Sequence, residues 1–150
     1  MLVGGFPLYL YSMAKVLALD VGGKRTGVAI TDELQIIAAG LTTVATENLF
    51  SYLTQLLQAE EIEALVVGKP SNLDGSPTDA NSIVNQVSKK LAEKFPTLSL
   101  VFIDERFTSK LAKQSILDSG ANKKTRRDKA LVDKVSATII LQTYLEMYKR

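Results

Sequence analysis

Short uninterrupted apolar runs alternate along this chain with stretches of helical period, and together they outline a layered α/β domain. Residues 16–19 (VLAL) form an unbroken apolar run that Asp20 ends just before a glycine turn, the pattern of a strand over 16–21 buried on both faces. Glycines 22, 23 and 27 turn the chain into a second strand over 27–32, as in a hairpin, and 36–44 gives a third β segment. Apolar positions 49, 50, 53, 56 and 57 predict a helix over 47–60, followed by a short buried strand at 64–68 (ALVVG) and a turn-rich loop over 69–75. Ser76-Pro77-Thr78-Asp79 starts a helix that runs to about 94, ahead of Pro96. Residues 98–103 are another buried strand, Thr108 caps a helix to Ser119 closed by Gly120, and a polar loop leads to a last helix over 129–148. The order β-β-β-α-β-α-β-α-α predicts a mixed sheet flanked by helices, with three leading antiparallel strands followed by parallel ones. Sites in such sheets gather at the carboxyl ends of the parallel strands.

The chain has 150 residues, the size of one domain with a substantial core, and a formal net charge of +2 that decides nothing about partners. It has no Cys and no His. Disulfides, thiolate catalysis, Cys- or His-ligated metals and Ser-His or Cys-His nucleophilic pairs are therefore excluded. Any enzymatic site must be built from carboxylates, Lys, Arg, Ser, Thr or Tyr, and an all-carboxylate site suits hard ions such as Mg²⁺. Residues 1–12 (MLVGGFPLYLYS) are apolar and uncharged, with Met13 just before the first strand. They lack the basic start and small-residue cleavage site of a secretory signal and are too short to span a bilayer. They are expected to be an extra segment, from an upstream start or an extension left by cloning, ahead of a single domain over 13–150.

Asp20 ends the first buried run, where an unpaired ion costs several kcal/mol, so it needs a cationic partner. Stepping by three and four from Asp133 reaches Ala130, Ala137, Ile140, Tyr144 and Met147 or Tyr148, which puts this acid on the apolar stripe of the last helix. The plainer reading is an acid at the frayed end of the stripe, paired with a nearby Lys. Glu105 follows the strand over 98–103 and alternates with Asp104, so one of the two can face Asp20 while the other meets solvent. Three converging acids repel one another unless cations neutralise them. Two Mg²⁺ or Mn²⁺ ions would make of them a clamp on the attacking and leaving oxygens of a phosphodiester.

Asp20-x-Gly22-x-Lys24-Arg25-x-Gly27-Val28-Ala29, Val67-Gly68-x-Pro70 with Asp74-Gly75, Asp104-Glu105-Arg106-x-Thr108-Ser109, and Asp133 with Ile140-Leu141-Gln142-x-Tyr144-Leu145 occur in that order. This set resembles the YqgF family of ribonuclease-H-like proteins, described as Holliday junction resolvases and pre-16S ribosomal RNA nucleases. The resemblance runs from Met13 to the end. It implies an RNase H-like fold, metal-dependent phosphodiester hydrolysis with Mg²⁺ or Mn²⁺, and Asp20, Glu105 and Asp133 as the catalytic and metal-binding acids. It also implies a cytoplasmic protein, monomer or homodimer, acting on pre-16S rRNA within pre-ribosomal particles, with DNA junctions as the alternative substrate. Lys69 departs from the pattern, standing where the family often has an apolar residue.

Lys123, Lys124, Arg126, Arg127 and Lys129 put five basic residues into seven just ahead of Asp133. Such a run is either a solvated loop or a grip on substrate phosphates, which fixes position without reading sequence. Arg25 and Arg106 lie close to the acids and would either clamp a phosphate or pair with the carboxylates. Tyr144 and Tyr148 fall on the helix stripe and read as core. Two rivals stand beside the nuclease. An ATP-dependent phosphotransferase of the actin–hexokinase type shares the strand-Asp-x-Gly loop but needs a second lobe. A non-catalytic nucleic-acid-binding module would keep the basic loop but has no use for three acids.

Overall fold

The computed structural model describes residues 2–7, 14–70, 80–105, 114–120, 122, 124 and 128–148. Leu2–Val3 (β1) and Phe6–Pro7 (β2) pair antiparallel as a separate two-stranded unit. The domain proper is a five-stranded sheet of β3 (Lys15–Val21), β4 (Arg25–Thr31), β5 (Ala38–Ala45), β6 (Ile62–Lys69) and β7 (Ser99–Asp104). Its spatial order is β5-β4-β3-β6-β7, with β3, β4 and β5 antiparallel and β3, β6 and β7 parallel. The helices are α1 (Leu49–Ala59), α2 (Ala80–Lys94) and α3 (Lys129–Tyr148). This is the mixed sheet expected from the sequence.

Alternation along the strands sorts the core into two layers. Leu17, Leu19, Val28, Leu65 and Val67 pack against Leu49 and Leu53 of α1 and Val84, Val87 and Leu91 of α2. Val16, Ala18, Ala29, Ala64, Val66 and Ile103 pack on the other face against Ala137, Ile140, Leu141 and Tyr144 of α3. The α3 face uses small residues on the central strands, so the helix can lie close to the sheet. Asp128 starts that helix by accepting a hydrogen bond from the Leu131 N–H at 3.2 Å. The Thr43 hydroxyl ties β5 to it by donating to the Ala130 carbonyl at 2.6 Å.

Boundaries differ from expectation where side chains hold turns. β4 begins at Arg25, so Gly27 lies inside the strand and not in the turn. β5 starts at Ala38 because Asp32 Oδ1 accepts from the N–H groups of Ile36 and Ile37 at 2.7 and 2.8 Å, with Gln35 at a φ of 57°. A 3₁₀ turn over Thr46–Asn48 precedes α1. Tyr148 is 56% exposed and leans on the buried Tyr144 with ring centroids 5.2 Å apart, so the core stripe ends one turn earlier than its spacing suggests. The expected helix start at 76–79, the Thr108 cap and Arg106, Lys123, Arg126 and Arg127 lie outside the described residues. Residues 114–118 are helical, as expected for the segment closed by Gly120. Among the described residues no helix is long and apolar enough to cross a membrane.

Candidate active site

Asp20 lies on β3, the middle strand, on the face covered by α3. Its cross-strand partner on β4 is Gly27. On the other side Leu19 pairs with Val67, so one residue further along both strands Asp20 stands beside Gly68 of β6. A glycine therefore flanks Asp20 on each side, and each leaves room for another acid. A β-carbon on Gly27 would lie 2.0 Å from the Asp133 carbonyl oxygen, so only a glycine lets the second turn of α3 come down at this point. A β-carbon on Gly68 would lie 2.4 Å from Cδ of Glu105. Glu105 is held in strand register past the end of β7 by its N–H, which donates to the Lys69 carbonyl at 2.9 Å.

The sheet's alternation thus selects Glu105, and not Asp104, as the companion of Asp20; Asp104 is exposed. Asp20 and Glu105 are hydrogen-bonded through their carboxyl groups. Burial pushes Glu105 up to about 10, helped by the Asp20 charge, by its hydrogen bond to Asp20 and by Asp104. Burial also raises Asp20; the hydrogen bond from Glu105 works against that rise, and the Asp133 charge adds to it. Glu105 therefore carries the proton and donates it to the Asp20 carboxylate, since two buried carboxylates in contact cannot both ionise.

The third acid is engaged elsewhere. Arg25 Nε donates to Asp133 Oδ2 at 2.9 Å, with the two side chains 38% and 22% exposed. Of the two readings for Arg25, the structure shows the pairing with a carboxylate. The turn that carries Arg25 is itself tied down. Gly22 N–H donates to the Arg25 carbonyl at 2.9 Å, Thr46 N–H to the Lys24 carbonyl at 2.9 Å, and the Thr46 hydroxyl to the Gly22 carbonyl at 2.6 Å. The buried Thr26 hydroxyl meets that of Thr46 at 2.9 Å. Among the described residues no group of three acids stands ready to hold a metal ion. Arg25 holds the Asp133 carboxylate instead. The donor set is nonetheless all oxygen and carries the charge that a hard divalent cation requires.

Lys124 and Lys129, from the basic run, are exposed. Lys69 points to the face away from the acids, its ammonium 4.6 Å from the centroid of Phe102. Sequence reasoning missed Thr26 and Thr46, and for Gly27 and Gly68 it missed the close approach they permit. For the two glycines a signal existed, because a lone glycine within a strand pattern marks a close approach. For the threonines no signal existed, since a buried hydroxyl pair 20 residues apart leaves no mark in the sequence.

A family model described as RuvX, Holliday junction resolvase, matches residues 14–147. A protein of Christiangramia forsetii named as a candidate pre-16S rRNA nuclease is 52% identical over 133 residues, which cover 89% of this chain and 98% of that protein. A protein of the same name from Porphyromonas gingivalis is 46% identical, covering 89% and 97%. Among solved structures, RuvC of T. thermophilus in complex with a Holliday junction substrate aligns over 90% of this chain and 96% of its own, with a TM-score of 0.56 and 15% identity. That last likeness is one of fold.

Proposed function

Because the chain belongs to the RuvX (YqgF) family of RNase H-like proteins, we propose that it is an endonuclease that hydrolyses phosphodiester bonds in structured nucleic acid. Its substrate in this reading is the 16S rRNA precursor, as the names of its relatives suggest; we further propose that it acts on the 5′ region, within pre-ribosomal particles in the cytoplasm. The domain over 13–150 carries the activity, with residues 1–12 outside it, and works as a monomer or a homodimer.

The observation that supports the reading is that Asp20 lies between two strand glycines, with the Glu105 side chain over Gly68 and the α3 backbone at Asp133 over Gly27. A pure binding module would not gather carboxylates where a polyanion must lie. Asp20, Glu105 and Asp133 would hold Mg²⁺ or Mn²⁺, two ions in all. Bound there, the ions would lower the pKa of water and neutralise the leaving oxygen. Glu105 gives up its proton to become a ligand or to orient the attacking water. Asp20 fixes the centre from the middle strand, and Asp133 closes it from α3. Lys123, Lys124, Arg126, Arg127, Lys129 and Arg106 hold backbone phosphates and fix register without reading bases.

The test offers purified protein precursor rRNA fragments and four-way DNA junctions with Mg²⁺, Mn²⁺ or EDTA. Cleavage of the rRNA fragments that needs metal and is lost in Asp20→Asn supports the reading. Identical behaviour of wild type and Asp20→Asn on every substrate overturns it, and cleavage of junctions alone moves the substrate to DNA.

A further inference from the structure

The Arg25–Asp133 contact joins two residues that the nuclease reading needs for different tasks. We propose that Arg25 is a counter-ion latch: its guanidinium holds the Asp133 carboxylate while no divalent cation is bound, competes with that cation, and is released toward a substrate phosphate when the cation enters. The inference rests on the nuclease reading and concerns how this chain's own residues meet the ion.

Three observations support it. The hydrogen bond joins Nε to Oδ2, a single contact, and single contacts hold less firmly than the bidentate arrangement Arg can make with a carboxylate. Both side chains are partly exposed, so ions and substrate can reach the pair. Their backbones, in contrast, are fixed. Asp133 sits where α3 touches Gly27, and Arg25 follows a turn tied by Gly22 and Thr46. The mobile part is therefore the Arg25 side chain alone, long enough to swing while both anchors stay in place.

Charge gives the swing a direction. Asp133 is the acid whose carboxylate Arg25 reaches, Nε to Oδ2 at 2.9 Å. A doubly charged ion among the acids offsets most of the negative charge that holds Arg25, and a phosphodiester brought to that ion is the next anion within its reach. A purely architectural ion pair would stay closed when metal binds.

The experiment follows the arginine Nε–H signals of the full-length wild-type protein by NMR during a Mg²⁺ titration. The Arg25 signal is identified by its loss in Arg25→Lys, and metal occupancy is read separately from the backbone amides of Asp20 and Glu105. The expected result is that the Arg25 signal moves to the position of unpaired arginines as Mg²⁺ saturates. In parallel, Mn²⁺ binding measured by electron paramagnetic resonance is expected to be roughly tenfold tighter in Arg25→Gln than in wild type. Mg²⁺ binding with an unmoved Arg25 signal, or Mn²⁺ affinity unchanged or weaker in Arg25→Gln, overturns the latch and leaves the nuclease reading standing. No metal binding at all overturns both. Should Arg25→Gln fail to fold, the wild-type titration decides alone.

Discussion

Burial and the Asp20 charge push Glu105 from an ordinary 4.5 up to about 10, so between those values the folded, metal-free protein keeps a proton that the unfolded chain has released. The folded state then binds more protons than the unfolded one, and stability falls as pH rises. The contribution is fully present below the unfolded value and is lost as pH climbs through the folded one. The melting temperature of metal-free protein should therefore decline from about pH 5 to about pH 9, with 2–4 °C for roughly each kcal/mol in a chain of this size. Glu105→Gln, which cannot lose a proton, should flatten that slope; a flat profile in the wild type would contradict the shared proton. Metal must displace the same proton, so Mg²⁺ affinity by calorimetry should rise with pH and release protons into the buffer. In single-turnover cleavage of rRNA fragments, Asp20→Asn and Glu105→Gln should each lose about 100-fold or more with the fold retained by circular dichroism.

At the scale of elements, the two glycines beside Asp20 separate folding from function. Gly27→Ala drives a β-carbon into the backbone of α3, and backbone cannot step aside cheaply. It should lower stability in urea unfolding by about 1–3 kcal/mol, the usual range for overpacking. In Gly68→Ala the three atoms nearest the new β-carbon all belong to the Glu105 side chain, which can rotate away. Its stability should be nearly unchanged while metal affinity and cleavage fall. If both substitutions cost equal stability, Glu105 is not the flexible partner described here. The strands themselves were readable from their apolar runs, and α3 matches its expected span because its stripe and its Asp128 cap agree. Gly27 was misplaced because hairpin glycines at 22 and 23 draw a third nearby glycine into the same turn. Only the contact with Asp133, 106 positions away by the numbering of the two residues, gives it another purpose.

Over the whole molecule, the acids were readable and their state was not. Strand ends and a helix stripe marked Asp20, Asp133 and one of Asp104 and Glu105, and the family resemblance pointed to Glu105, but a shared proton and an ion pair depend on contacts that no spacing reports. A net charge of +2 likewise conceals a strongly basic run just ahead of Asp133 in the sequence. If that run grips phosphates, replacing exposed Lys124 and Lys129 by Ala should weaken binding of all structured substrates alike. Each replacement should reduce the slope of log affinity against log salt by about 1, measured by filter binding. The arrangement also spreads the site along nearly the full chain: Arg25 and Asp133 are 108 positions apart, and Asp133 belongs to the last helix. During synthesis at about 5–20 residues per second, on the order of 5–20 s separate the appearance of the first acid's strand hairpin from that of the third acid. A nascent chain on the ribosome therefore holds the sheet's centre long before it can cut, and a chain halted short of α3 is released without a complete set of acids.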